Sequence, residues 1–281
     1  MTRKPGMLAL LAVLAASAFS QGAGAPGNMS DVVITPKRLV FEGRTRMAEV
    51  SLANQSDKSI TYDISFMHLR MNENGSLQEI KDAEPGAQFA DALLRFTPRR
   101  VVLEPRQTQS VRFQLRKPEG LADGEYRSNV VFRVVPSTKE LQAGKADELA
   151  ISLVPVYGIS IPVFVRQGNV SVKAGISGIA VKAEADKAPS MSFHIDREGG
   201  RSVYGNIRVQ LMRGARAPLD VGTLNGAAVY LPLATRPLSI PLDLPKGLQL
   251  RGATFRVRFV DAEDEMNQDP AVLANAQVVL P

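Results

Sequence analysis

Side chains suited to covalent or metal chemistry are scarce in this chain. It has no cysteine, which excludes thiol nucleophiles, thiolate metal ligands, disulfides and a lipid-anchored cysteine. Its two histidines, His68 and His194, stand far apart in separate strand-like runs, a poor arrangement for a shared metal. Asp261-Ala-Glu-Asp-Glu265 is rich in carboxylates, but it lacks the glycine and ligand spacing of a calcium loop and reads as a solvated acidic turn. Serine, histidine and aspartate occur together only as any chain of this length would have them, with no G-x-S-x-G setting for a nucleophile. Gly199-Gly200 does not have the spacing of a phosphate loop. The expectation is a protein that is not an enzyme and that uses no cofactor or metal.

The chemistry that the sequence does offer lies in the main chain. From Leu149 to Val163, large apolar residues recur at alternate positions: Leu149, Ile151, Leu153, Tyr157, Ile159, Ile161 and Val163. That period belongs to a β-strand with one apolar face. The run exceeds the usual strand of about 5–6 residues. It also contains Pro155 and Pro162, and proline cannot donate to a central ladder. The run therefore predicts an edge strand with a free side along part of its length. An apolar edge invites aggregation unless another chain is meant to pair with it.

The elements around this strand are also β. Ala48, Val50 and Leu52 alternate with polar or small neighbours, as do Tyr62, Ile64 and Phe66, and Val111, Phe113 and Leu115. Asn54 to Asp57, Asn72 to Gly75, Glu104-Pro105 and Ala122 to Gly124 are turn signals between such runs. About seven short strands before residue 167 predict an immunoglobulin-like sandwich. Gln167-Gly-Asn169 is the expected domain junction. Beyond it Met191, Phe193 and Ile195 alternate, then Ile207, Val209 and Leu211, then Phe255, Val257 and Phe259. Ala217-Pro218, Asn225-Gly226 and Pro245 to Gly247 are read as turns, and the whole as a second β-sandwich. No amphipathic helix is predicted.

Composition limits the partners. The 281 residues carry a formal net charge of +6 and 44% hydrophobic residues, enough for folded cores. Arg3 and Lys4, the apolar run Met7 to Phe19 and the small residues up to Ala25 read as a secretory signal, 1–25. Cleavage is expected after Ala23-Gly24-Ala25 or near Ala18-Phe19-Ser20. Removal leaves about +4, and no second apolar stretch is long enough to span a bilayer. Arg95, Arg99, Arg100, Arg106, Arg112 and Arg116 are scattered along strands, which predicts a solvated face rather than a nucleic-acid site.

Four stretches, taken in chain order, resemble the periplasmic pilus-assembly chaperones of chaperone–usher systems, the PapD-like family. Ile34-Thr-Pro-Lys-Arg-Leu-Val-Phe-Glu-Gly43 is similar to the family's first strand, and Ala48-Glu-Val-Ser-Leu-Ala-Asn54 to its second. Phe96-Thr-Pro98 through Leu103-Glu-Pro105 to Arg112 resembles a third segment, and Asp123-Gly-Glu-Tyr-Arg-Ser-Asn129 to Arg133 a fourth. The second half resembles the family only in size and β character.

The resemblance implies an all-β protein of two immunoglobulin-like β-sandwich domains forming an L-shape with an interdomain cleft. The domains would be 26–167, the chaperone domain, and 168–281. It implies a periplasmic location and a chaperone that caps pilus or fimbrial subunits by donor-strand complementation and delivers them to an outer-membrane usher. Leu149, Ile151 and Leu153 would be the donor residues, exposed without client and buried with it. Ile159, Ile161 and Val163 would fill the domain's own core. The alternative is that Leu149, Ile151 and Leu153 fill that core as well. Arg38 matches the family's cleft arginine, which anchors the client's C-terminal carboxylate; a plain strand-surface cation is the other reading. The family usually adds a lysine on the long strand. The corresponding stretch, Tyr157-Gly-Ile-Ser-Ile161, has no cation. Lys37 or Tyr157 would have to assist Arg38, or the client is held differently, which marks a divergent branch. No nucleic acid and no stable membrane insertion are expected. A secreted structural or adhesive β-sandwich protein is the alternative function.

Overall fold

The computed structural model describes residues 31–82, 84–136, 156–183, 188–262 and 271–281. The segment expected to be a signal, and Leu149, Ile151 and Leu153, lie outside the described residues. Eleven strands precede residue 168: β1 (Val32–Thr35), β2 (Leu39–Phe41), β3 (Met47–Asn54), β4 (Ile60–Met67), β5 (Leu69–Met71), β6 (Leu77–Glu79), β7 (Leu94–Thr97), β8 (Arg100–Leu103), β9 (Thr108–Leu115), β10 (Gly124–Val135) and β11 (Gly158–Gln167). Seven follow: β12 (Val172–Lys182), β13 (Ser190–Gly199), β14 (Val203–Arg213), β15 (Arg216–Val229), β16 (Thr235–Pro241), β17 (Thr254–Asp261) and β18 (Val272–Val279). The fold is all-β. A 3-10 turn spans Asp91–Leu93, and no α-helix occurs among the described residues.

The first sandwich packs a sheet of order β1-β3-β9-β7 on one of order β2-β11-β10-β4-β8. Alternation decides which side chains go inside. Val50 and Leu52 on β3 and Val111 and Phe113 on β9 are fully buried, and they meet Tyr62, Ile64, Val130 and Phe132 from the opposite sheet in one core. Burying each such side chain contributes about 1.5–3 kcal/mol. The scattered arginines Arg95, Arg99, Arg100, Arg106, Arg112 and Arg116 are all exposed, and Arg95, Arg100 and Arg112 take outward positions of their strands. The chain changes sheets between β1, which pairs with β3, and β2, which lies parallel to β11. Arg38 stands immediately before β2, at that crossing.

The second sandwich joins a sheet of order β12-β13-β16 to one of order β15-β14-β17-β18. Met191, Phe193 and Ile195, then Ile207, Val209 and Leu211, then Phe255, Val257 and Phe259 form its core, as their alternation predicts. Two expected turns are not turns. Ala217-Pro218 and Asn225-Gly226 both lie inside β15. Pro218 is tolerated because β15 is an edge strand that pairs only with β14. Gly226, at φ +74, sits at a register shift, and its N–H is held by Asn206 Oδ1 at 2.8 Å. It is a bulge that lets the strand continue. The actual turn is at Gly214, between the paired Arg213 and Arg216.

The hairpin of β5 and β6 reaches toward the second sandwich. Its turn is where the sequence predicts, closed by Gly75 N–H donating to the Asn72 carbonyl at 2.8 Å. Gly75 has φ +83, and a Cβ there would lie 2.0 Å from Arg236 Nη2 of β16. The backbone conformation favours glycine, and any larger residue would also have to displace the Arg236 side chain.

Candidate functional site

β11 runs from an open edge into a closed junction. Through its whole length, Gly158 to Gln167, it pairs with β10 on one side. On the other side β2 covers only Val163, Phe164 and Val165. From Gly158 to Pro162 that second side has no strand partner among the described residues. Pro162 therefore breaks no ladder on the open side. Ile161 and Val163 are buried in the core and Ile159 packs half-buried against it, as the sequence predicts for these three. Val156 and Tyr157, just before the strand, are exposed at 52% and 43%, although the Tyr157 carbonyl still accepts the Val134 N–H at 2.9 Å.

At Val163 the environment changes. Val163, Phe164, Val165 and Arg166 are all buried, so both faces of the strand are covered. Val163 and Val165 face the core of the first sandwich. Phe164 faces the other way and packs with Met71, Ala228 and Tyr230, joined by Val40 and Tyr204. This cluster draws on both sandwiches and seals them together. The Phe164 and Tyr230 rings are 5.6 Å apart in a tilted contact.

A charged network lies beside it. Arg166, 3% exposed, donates from Nη1 to Glu42 Oε2 at 2.7 Å and from Nε to Glu125 Oε2 at 3.1 Å. The second oxygen of the buried Glu125 accepts the Ser202 N–H of the second sandwich at 3.0 Å. Burial works against the charge on Arg166, but its hydrogen bond to Glu42 and the charges of Glu125 and Glu42 outweigh it and raise its pKa. Glu42 also resists a burial effect; the hydrogen bond and charge of Arg166, with Arg201 3.7 Å away, hold its carboxyl below the ordinary value. Arg127 is held differently. Its Nη2 donates to the Leu69 carbonyl at 2.6 Å and its guanidinium lies 4.7 Å from the Tyr230 ring centre. Burial lowers its pKa and raises that of Tyr230.

Arg38 occupies the mouth of this junction. Its guanidinium carbon is 4.8 Å from the ring centre of Phe164 and 4.5 Å from that of Tyr204. One ring comes from each sandwich. Arg38 also lines an open cavity of about 440 Å³ with Lys37, Tyr204, Asn206 and Asn225. Arg38 and Tyr204 also line a second, smaller cavity with Arg166, Arg201 and Asp261. The arrangement is a cation-lined cleft beside an open strand edge. It suits an anionic group at the end of an extended chain, because guanidinium offers paired donors in a fixed plane.

The sequence singles out Arg38 and Lys37 but not Phe164, Arg166, Tyr204 or Glu125. A usable signal was present: the unbroken apolar run Val163-Phe164-Val165 loses the alternation of the preceding residues, which marks a strand covered on both faces.

The structure does bring one serine, histidine and aspartate together. Ser128 Oγ lies 3.3 Å from His68 Nδ1, and His68 Nε2 lies 3.7 Å from Asp91 Oδ2. Ser128 is 1% exposed, and its oxygen already accepts the N–H groups of Ala90 and Asp91 at 2.9 and 3.2 Å. His68 stacks on Phe89 at 3.6 Å. The hydroxyl closes the 3-10 turn; it is not a nucleophile open to substrate.

No family model matches the chain, and no curated protein matches it. Solved structures do resemble it. A CsuC–CsuE chaperone–tip adhesion subunit pre-assembly complex of Acinetobacter baumannii matches at 10% identity and a TM-score of 0.45, covering 86% of this chain and 98% of that one. The YadV chaperone matches at 14% identity and 0.43, over 89% and 100% of the two chains. The Pseudomonas aeruginosa CupB2 chaperone matches at 13% and 0.42, over 89% and 100%. These are loose likenesses. The two-sandwich architecture rests on the strand pairing and the cores described above.

Proposed function

We propose that this protein is a periplasmic chaperone of pilus or fimbrial subunits, a divergent member of the PapD-like family that its sequence resembles, with domains 26–167 and 168–281. The observation that carries the reading is the open side of β11 from Gly158 to Pro162, directly upstream of the cleft that holds Arg38. An incomplete subunit sandwich lacks one strand. A free strand edge supplies main-chain donors and acceptors to it without regard to sequence, and alternate apolar side chains fill the vacant pockets. Leu149, Ile151 and Leu153 continue the apolar alternation upstream of β11 and are the proposed donors. Arg38 is the proposed anchor for the subunit's terminal carboxylate. Capping keeps the subunit's exposed core from aggregating until it is handed to an outer-membrane usher.

The test is purification of the tagged full chain from periplasm. A small β-rich partner in about 1:1 ratio, lost at an Ile151→Asp substitution, supports the reading. Isolation without such a partner from cells of its own source that assemble pili contradicts it.

A further inference from the structure

We infer that Tyr204, contributed by the second sandwich, is the positioning residue that holds the Arg38 guanidinium in the cleft. This inference rests on the anchoring role proposed for Arg38. A free arginine side chain samples many rotamers, and ordering it costs about 2 kcal/mol. Arg38 is only half-buried, so backbone packing alone does not fix its long side chain. Two rings do. Phe164 and Tyr204 each stand within 5 Å of the guanidinium carbon, at 4.8 and 4.5 Å, well inside the distance at which an aromatic face attracts a cation.

The two rings differ in origin. Phe164 belongs to β11, beside the parallel strand that Arg38 introduces, so it is present in the first sandwich alone. Tyr204 belongs to β14 of the second sandwich, packed against the same junction cluster. It also lines the open cavity with Lys37 and Arg38. The clamp is complete only when the sandwiches are joined. The structure thereby assigns the second sandwich a share in recognising a terminal carboxylate. A ring pre-orders the cation, so less is lost when a carboxylate binds.

The experiment uses the full chain and a soluble, strand-length peptide of alternating valine and threonine with a free C-terminal carboxylate, compared with its C-terminal amide. Wild type should prefer the carboxylate form. Arg38→Ala and Tyr204→Leu should each remove that preference, with a loss of about three- to tenfold for the carboxylate peptide and little change for the amide. Tyr204→Phe should retain the preference, because the ring remains. The double variant Arg38→Ala, Tyr204→Leu should be no weaker than Arg38→Ala alone, since both act through one group. A preference that survives Arg38→Ala overturns the anchor, and Tyr204 with it. A preference lost in Arg38→Ala but kept in Tyr204→Leu overturns the Tyr204 inference alone, as do losses that add in the double variant. The Arg38 Nε–H proton resonance gives a second measurement independent of binding. It should lie upfield in wild type and Tyr204→Phe and move downfield in Tyr204→Leu; an unchanged resonance overturns the clamp.

Discussion

The two halves of β11 sit in opposite surroundings. From Val163 to Val165 the strand is buried on both faces and paired on both sides, and the next residue, Arg166, ties it to two carboxylates. From Gly158 to Pro162 it has one paired side among the described residues and begins beside exposed Val156 and Tyr157. The same backbone is a structural beam at one end and an accessible edge at the other. The difference lies in what the second sandwich and β2 cover, and the residues follow it: Gly158 and Ser160 alternate with Ile159 and Ile161 in the open half, whereas Val163-Phe164-Val165 is apolar without a break. The junction cluster of Phe164, Tyr230 and Ala228 fixes the closed half, which the proposed lending of the open half would require.

Substitutions in the closed half should therefore cost stability, and those at the open side and cleft should cost binding. Arg166→Ala has the largest expected effect. It leaves Glu125 buried without its cation, a loss of about 3–5 kcal/mol in urea unfolding. A loss below about 1 kcal/mol would mean that Glu125 is already solvated. Phe164→Ala comes next, at about 3 kcal/mol, because it empties the seal between the sandwiches. Its unfolding should also lose the shared transition of the two sandwiches, seen as separate melting steps by calorimetry. A single step of unchanged midpoint would show that Phe164 does not couple them. Arg38→Ala should leave melting near wild type and weaken capture of a carboxylate-ended subunit by about three- to tenfold, roughly 1 kcal/mol, a modest loss because the residue is only half-buried. Destabilisation with normal capture would place Arg38 among the beam residues.

The smallest effect concerns pH. Glu42 is held below its ordinary value of 4.5 by Arg166. Its contribution to stability is complete above that value, where folded and unfolded chains are both ionised. As pH falls below 4.5 the unfolded chain takes up the proton first, and the contribution declines until the folded carboxyl is protonated too. Wild type should lose more stability than Glu42→Gln between neutral pH and about pH 3. Equal losses would remove Glu42 from the network.

The alternating strands were legible in the sequence because alternation is a local property: Val50 and Leu52, or Phe255, Val257 and Phe259, need only their neighbours to declare an inner face. β15 was misread for the same reason. Pro218 and Asn225-Gly226 are local turn signals that an edge position and a bulge absorb. The cleft was legible only at Arg38, through resemblance. Its remaining parts come together across long stretches of chain: Glu125 meets the Ser202 N–H 77 residues away, and Arg166 meets Glu42 across 124. No local pattern encodes such pairings. The switch of sheets between β1 and β2, which brings Arg38 beside β11, is likewise a tertiary fact.

The most direct test of the central claim is Ile151→Asp in the full chain, with melting temperature and subunit capture measured on the same preparation. The account predicts melting within a degree or two of wild type, as for a surface substitution, and loss of the co-purifying subunit. A collapse of the free protein's own stability would place Ile151 in its core and contradict the donor role.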